Sequence, residues 1–204
     1  MQMLSKRVLL TLAIGVSFAA SAFAQSSGSR ARLRGEIDAI SGDTLHLNLR
    51  DGEKARVALP TNVRVTWITV AKPSDIAKGS YIGTAAIPQP DGTLRALEIQ
   101  VFPPRMRGIG EGSRPFDLAP GSTMTNGTIG SMVSANGRTI TITYKGGEKK
   151  VFVPDDVPFV SYAPAARSAL TPGAHVIVNG IRSANGIVTA NSVSVGQNGL
   201  VPPM

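Results

Sequence analysis

The sequence predicts an all-β protein built as two tandem five-stranded OB-like barrels joined by an irregular central segment. Three observations carry that expectation: an internal duplication, period-two alternation of apolar residues, and turn signals at matching places in both copies. Residues 56–101 lie on residues 150–195 at a constant offset of 94, and ten of those 46 positions are identical. Ordinary residue usage would give roughly three. The match extends upstream, with GEIDAISGDTLHLNLRDGEK at 35–54 against GTIGSMVSANGRTITITYKGGEK at 127–149. A period this long suits two small domains rather than a solenoid. The expected divisions are barrels at 33–102 and 126–196, a central segment at 103–125 and a tail at 197–204.

In the first copy Leu45, Leu47 and Leu49 alternate with Thr44, His46, Asn48 and Arg50, the pattern of a half-buried strand. Asp51-Gly52 reads as a hairpin turn. Val57 and Leu59 resume the alternation, and Val63, Val65 and Trp67 continue it past Pro60 as one long strand. Residues 73–79 read as one helical turn, with Ser74 as N-cap and Gly79 as the stop. Strands near 80–87 and 93–101 follow, joined at Asp91-Gly92.

The second copy repeats the plan through Ile140, Ile142 and Tyr144, then Val151 and Val153, then Val176 and Val178, with Asn185-Gly186 as the matching turn. The order strand, strand, long strand, short helix, strand, strand is OB-like, and closure removes exposed edges. A flat sandwich is the structural competitor. Units of about 70 residues hold marginal cores, so the two copies are expected to pack together.

Between the copies, residues 104–126 (PRMRGIGEGSRPFDLAPGSTMTN) show no strand or helix period. A connection this long is either a working loop or a structured strap. As a loop, Arg105, Arg107, Arg114 and Phe116 would meet an anion or a partner. As a strap, Phe116 and Leu118 would be buried and the arginines solvated or paired. The G-x-G-x-G spacing here lacks the dinucleotide fingerprint.

The beginning of the chain is laid out as a secretory signal peptide. Lys6 and Arg7 precede an apolar stretch from Val8 to Ala20, and Ala22-Phe23-Ala24 offers small residues for cleavage after Ala24. Periplasmic export is therefore expected, with no membrane span after cleavage. The whole chain carries a net charge of +8, of which +6 remains beyond residue 24. That charge is too dilute for a nucleic-acid tail, and stacking platforms need more than the eight aromatics that remain.

The catalytic inventory is thin. There is no cysteine, and His46 and His175 stand at non-equivalent places. No nucleophile elbow, phosphate loop or H-E-x-x-H motif occurs. Asp155-Asp156 reads as a turn, and Glu36 with Asp38 as a solvated pair. The residues thus point away from an enzyme, a metal site or a cofactor.

The stretches SDIAKGSYIGTAAIPQPDGTLRALEIQVFPPRMRGIGEG, RPFDLAPGSTMTN, YKGGEKKVFVPDD and the closing VPPM resemble an uncharacterised family of exported bacterial proteins. Its members carry a β-rich domain of unknown function and are sometimes labelled metal ABC transporter permeases. The resemblance implies a periplasmic address. The permease label conflicts with a sequence that offers no transmembrane helix. The family has His where Ser113 stands and Trp where Phe116 stands, so a metal reading of the central segment loses its one histidine here. The expected function is a non-enzymatic binding or adaptor protein for an envelope protein or anionic envelope ligand. A structural envelope protein without a ligand is the alternative, and an accessory role in metal transport a distant third.

Overall fold

The computed structural model describes residues 28–134 and 138–204, so the expected signal peptide lies outside the described residues. It is all-β, with thirteen strands in one large sheet. The first copy supplies β1 (Ser29–Ser41), β2 (Thr44–Leu49), β3 (Lys54–Ala58), β4 (Arg64–Val70), β5 (Tyr81–Pro88) and β6 (Leu94–Val101). The central segment adds β7 (Gly112–Pro115). The second copy supplies β8 (Thr123–Ser134), β9 (Arg138–Tyr144), β10 (Gly147–Val153), β11 (Phe159–Pro164), β12 (His175–Arg182) and β13 (Val188–Gly196). No described helix is long and apolar enough to cross a membrane.

The strand partners differ from those expected within one copy. β1 pairs with β2 and β2 with β3, but the circuit then closes through β13 and β12 of the second copy. The mirror circuit runs β8, β9, β10, then β6 and β5 of the first copy. Each copy therefore gives three strands to one ring of pairings and two to the other. The expectation of two barrels, each closed on its own copy, is not what the ladders draw.

Proline explains the departure. The stretch read as one long strand breaks after Ala58, where the Val63 amide closes a turn on the Pro60 carbonyl. The second copy breaks identically, with the Val157 amide bonded to the carbonyl of Pro154. A proline cannot donate to a ladder, so the strand stops and its continuation is free to take new partners. β4 and β11 leave their rings there. They pair with each other antiparallel and run parallel to β13 and β6. In the β4–β11 ladder Ile68 stands opposite Tyr162, its own equivalent at offset 94, so the pseudo-two-fold axis of the molecule passes through that pair.

The alternation places side chains as expected. Leu45, Leu47, Ile140, Ile142, Val176 and Val178 are buried and Leu49 half-buried in the two ring cores. Leu33 and Leu45 from the first copy share a core with Val178 and Val193 from the second. Ile82 and Ile99 of the first copy likewise meet Ile129 and Val151 of the second. A third, smaller core of Ile68, Val160, Ile177 and Met204 fills the space between the rings. Gly35 and Gly127 hold equivalent places, and a Cβ at either would meet the carbonyl oxygen of Asn48 or Thr143 at 2.3 or 2.4 Å. Glycine is required there by the close approach of the next strand.

Two local expectations need correction. Residues 73–75 form a 3-10 turn in which Ser74 is not the cap; the Lys72 amide bonds to the Asp75 carboxylate at 2.8 Å instead. The central segment is not wholly irregular, because β7 pairs with β8 over Gly112–Pro115. Its side chains are mostly exposed, so no alternation marked it.

Because each core draws on both copies, neither half of the chain can bury its apolar faces alone. Fragments 25–108 and 109–204, produced separately, are expected to show no cooperative unfolding and to regain it on mixing. Cooperative thermal unfolding of either fragment alone would contradict the exchanged pairing.

Candidate functional site

The exchange creates a cleft between the two rings. One wall is a row of register partners crossing four strands: Arg32 on β1, Asn179 on β12, Ser192 on β13 and Arg64 on β4. The opposite side carries Gln100 on β6, Phe102 just after it and Tyr162 on β11. Met106 and Ile109 of the central segment and Met204 also line it. The cleft is open to solvent and has a volume of about 270 Å³, slightly below that of a typical drug-sized pocket.

Sheet geometry puts these groups in one place. Residues of equal parity on a strand share a face, so Val176 and Val178 point into a ring core while Ile177 and Asn179 point to the cleft. On β6, Ala96 and Ile99 flank a bulge facing β5 and enter the other core, which leaves Glu98 and Gln100 on the cleft side. Gly83 lies beside Gln100 in register, and a Cβ there would collide with the Asn126 side-chain oxygen at 2.6 Å. Its lack of a side chain makes room for Asn126, which donates to the Ile109 carbonyl at 3.1 Å and so ties the central segment to β8.

Behind this wall runs a buried hydrogen-bond chain. The Tyr162 hydroxyl donates to Gln100 Oε1 at 2.7 Å, and Gln100 Nε2 donates to Glu98 Oε1 at 2.9 Å. The Ala85 amide adds a second bond to that oxygen at 3.1 Å. Glu98 Oε2 is buried with no partner among the described residues. Burial pushes the Glu98 carboxyl up to about 7, against which the Gln100 and Ala85 bonds and the Arg32 charge act more weakly. Tyr162 is likewise raised, first by burial and then by Glu98.

Arg32 is the exceptional cation. Its guanidinium lies 4.8 Å from the centre of the Phe116 ring, and no hydrogen bond to it is made by any described residue. Neither neighbouring carboxylate is hydrogen-bonded to it. Asp117 takes a two-pronged bond from Arg34 at 2.7 and 2.9 Å, and Glu98 is held by Gln100 and Ala85. Burial, then the adjacent Arg34, lowers the Arg32 pKa from its ordinary value. Arg64 is exposed at the other end of the row and also lacks a described partner. Among the described residues, no aspartate or glutamate lines the cleft.

The residues singled out from sequence are distributed differently. Arg105 is exposed without a described partner. Arg107 donates to the Gly79 carbonyl at 2.6 Å and to Thr128 Oγ1 at 3.2 Å, and lies 5.8 Å from the Tyr81 ring. Arg114 donates to the Gly110 carbonyl at 2.9 Å. Phe116 is half-buried away from them, under Arg32 and Arg34. Arg107 and Arg114 thus flank Tyr81, whereas Phe116 reaches the cleft wall. Arg32 sits in an alternating run with Arg30 and Arg34 that reads as one solvated strand face, Arg64 stands alone between two valines, and the exchange that joins them leaves no local signal.

Among the described residues no three His, Cys, Asp or Glu side chains gather as a metal site. Comparison with known proteins finds no matching family model, curated protein or solved structure.

The Glu98 environment has a measurable consequence. Its folded-state pKa lies above the ordinary 4.5, so ionisation opposes folding. Stability from this group is complete below pH 4.5 and is lost as pH rises towards 7, by up to about 3 kcal/mol. Arg32 and Tyr162 are the charged and titratable groups that face it. Denaturant titrations across that range should show the decline in the parent and a flattened profile in Glu98→Gln. Identical profiles for both proteins would refute the assignment.

Proposed function

We propose that this chain is an exported, non-enzymatic binding or adaptor protein of the bacterial periplasm, and that the cleft between its rings is the ligand site. The observation that supports the reading is the Arg32 guanidinium, largely desolvated and without a described hydrogen-bond partner, in register with exposed Arg64 on a concave wall that no described acid lines. Structural arginines in a finished core or surface are paired or solvated, and desolvating one without a partner costs free energy. A site that awaits an anion accounts for that cost.

The proposed address follows from the three-part layout of residues 1–24 and from the resemblance to exported proteins. Each ring has the partner order of a five-stranded OB-like barrel, with its third and fifth strands parallel. We take the architecture to be two such barrels, assembled from both copies. Nucleic acid is a poor fit, because the aromatics in and beside the cleft pack on one another, with Phe102 stacked on Tyr162 at 5.5 Å.

A structural envelope protein without a ligand remains the competing reading. It is favoured by Arg107 and Arg114, both of which bond backbone carbonyls in the manner of a strap. An accessory role in metal transport has no support from the ligand set.

Native mass spectrometry of the protein recovered from a periplasmic fraction separates the first two. The binding reading expects a chain beginning at Gln25 that retains, or takes up from periplasmic extract, a stoichiometric small-molecule adduct. A processed chain that never acquires an adduct would favour the structural alternative. An unprocessed chain in the cytoplasm would overturn the export assignment.

A further inference from the structure

The chemistry of the cleft also specifies what kind of molecule it takes. We infer that the cleft binds a small amphiphilic carboxylate, its head group held between Arg32 and Arg64 and its apolar body against the central segment. This rests on the reading of the cleft as a ligand site and goes beyond it by naming the ligand class.

The head-group end follows from register. Arg32, Asn179, Ser192 and Arg64 are successive cross-strand partners, so the outer two backbones stand about 14 Å apart across three strand spacings. Asn179 and Ser192 between them are short. Two long guanidinium side chains can therefore reach inward from both ends over a shallow floor that offers an amide and a hydroxyl. Guanidinium forks match carboxylate geometry and are worth most where water is partly excluded. Phe116 backs the Arg32 guanidinium, and Asp117 is drawn off by Arg34.

The rest of the lining is largely apolar. Phe102, Met106, Ile109 and Met204 belong to it, and Ile109 is 49% exposed although its carbonyl is bonded by both Tyr81 and Asn126. A backbone so firmly held, presenting an uncovered isoleucine and an adaptable methionine, is a suitable wall for a short hydrocarbon body. The volume limits that body to a small one. A bare inorganic anion would leave this surface unused, and a neutral lipid would leave two arginines unpaired.

Isothermal titration of the processed protein with octanoate, octanol, acetate and inorganic phosphate tests the inference. Octanoate should bind saturably at one site, and octanol and acetate at least about tenfold more weakly. Arg64→Gln should weaken octanoate by about tenfold without lowering the melting temperature, since the Arg64 side chain has no described partner to lose. Ile109→Glu should weaken octanoate too, through the body rather than the head. Octanoate binding that is unchanged in both variants would overturn the inference. So would phosphate binding in place of octanoate. If none of the four probes binds while native mass spectra still show an adduct, the ligand class is wrong and the binding reading stands. If there is neither binding nor adduct, both fall.

Discussion

The antiparallel ladder between β4 and β11 is the interaction on which the rest of the molecule depends. It joins equivalent strands of the two copies about Ile68 and Tyr162, and it holds the two rings side by side. Were each long strand to run unbroken past Pro60 or Pro154, its later half would remain with its own ring. The turn at each proline sends that half across the axis, and the chain beyond it follows into the opposite ring. The ring that holds β1 is then incomplete until Ser29 has met Arg182, across almost the whole described chain. Closure of so long a loop carries an entropy cost, and two shared cores offset it.

The same ladder explains why a cleft exists and why it has two unlike sides. Under the pseudo-two-fold, Glu98 corresponds to Ser192, Gln100 to Ser194, Tyr162 to Ile68 and Arg32 to Met124. Ring-core positions stay apolar in both copies, as at Val57 and Val151, both fully buried. The positions that face the axis instead differ in charge and size. One side has gained a buried acid and an aromatic hydroxyl, while the arginines stand on the other. Packing restrains the ring cores equally, whereas the axis-facing positions are free to diverge towards a single asymmetric site.

Much of the fold was legible in the sequence, and for identifiable reasons. Alternation at Leu45, Leu47 and Leu49 reports the pleat directly, and the offset of 94 reports the duplication. What could not be read was partner choice. Residues 33–102 contain every strand a ring needs, and nothing in their pattern says that β5 will leave. Pro60 and Pro154 were visible as identical residues, yet alternation continues on both sides of each and masks the break. The site was hidden for the same reason. Arg32 and Arg64 become neighbours only through two strands of the other copy, while the conspicuous Arg107 and Arg114 are bonded to backbone carbonyls of the strap. Phe116 was noticed as an aromatic among arginines, but its cations come from β1 and not from its own segment.

The exchanged pairing can be read directly by cross-linking, because the chain contains no cysteine of its own. Arg30 stands opposite Ile181 on β12, and the equivalent of Ile181 within the first copy is Ile87. Directly opposed residues of an antiparallel pair bring their Cβ atoms within disulfide reach. The measurement is oxidation of two double variants, Arg30→Cys/Ile181→Cys and Arg30→Cys/Ile87→Cys, followed by non-reducing electrophoresis. The account predicts an intramolecular disulfide in the first and none in the second. Cross-linking of 30 to 87 with none of 30 to 181 would contradict it, and the cleft would fall with the pairing that builds it.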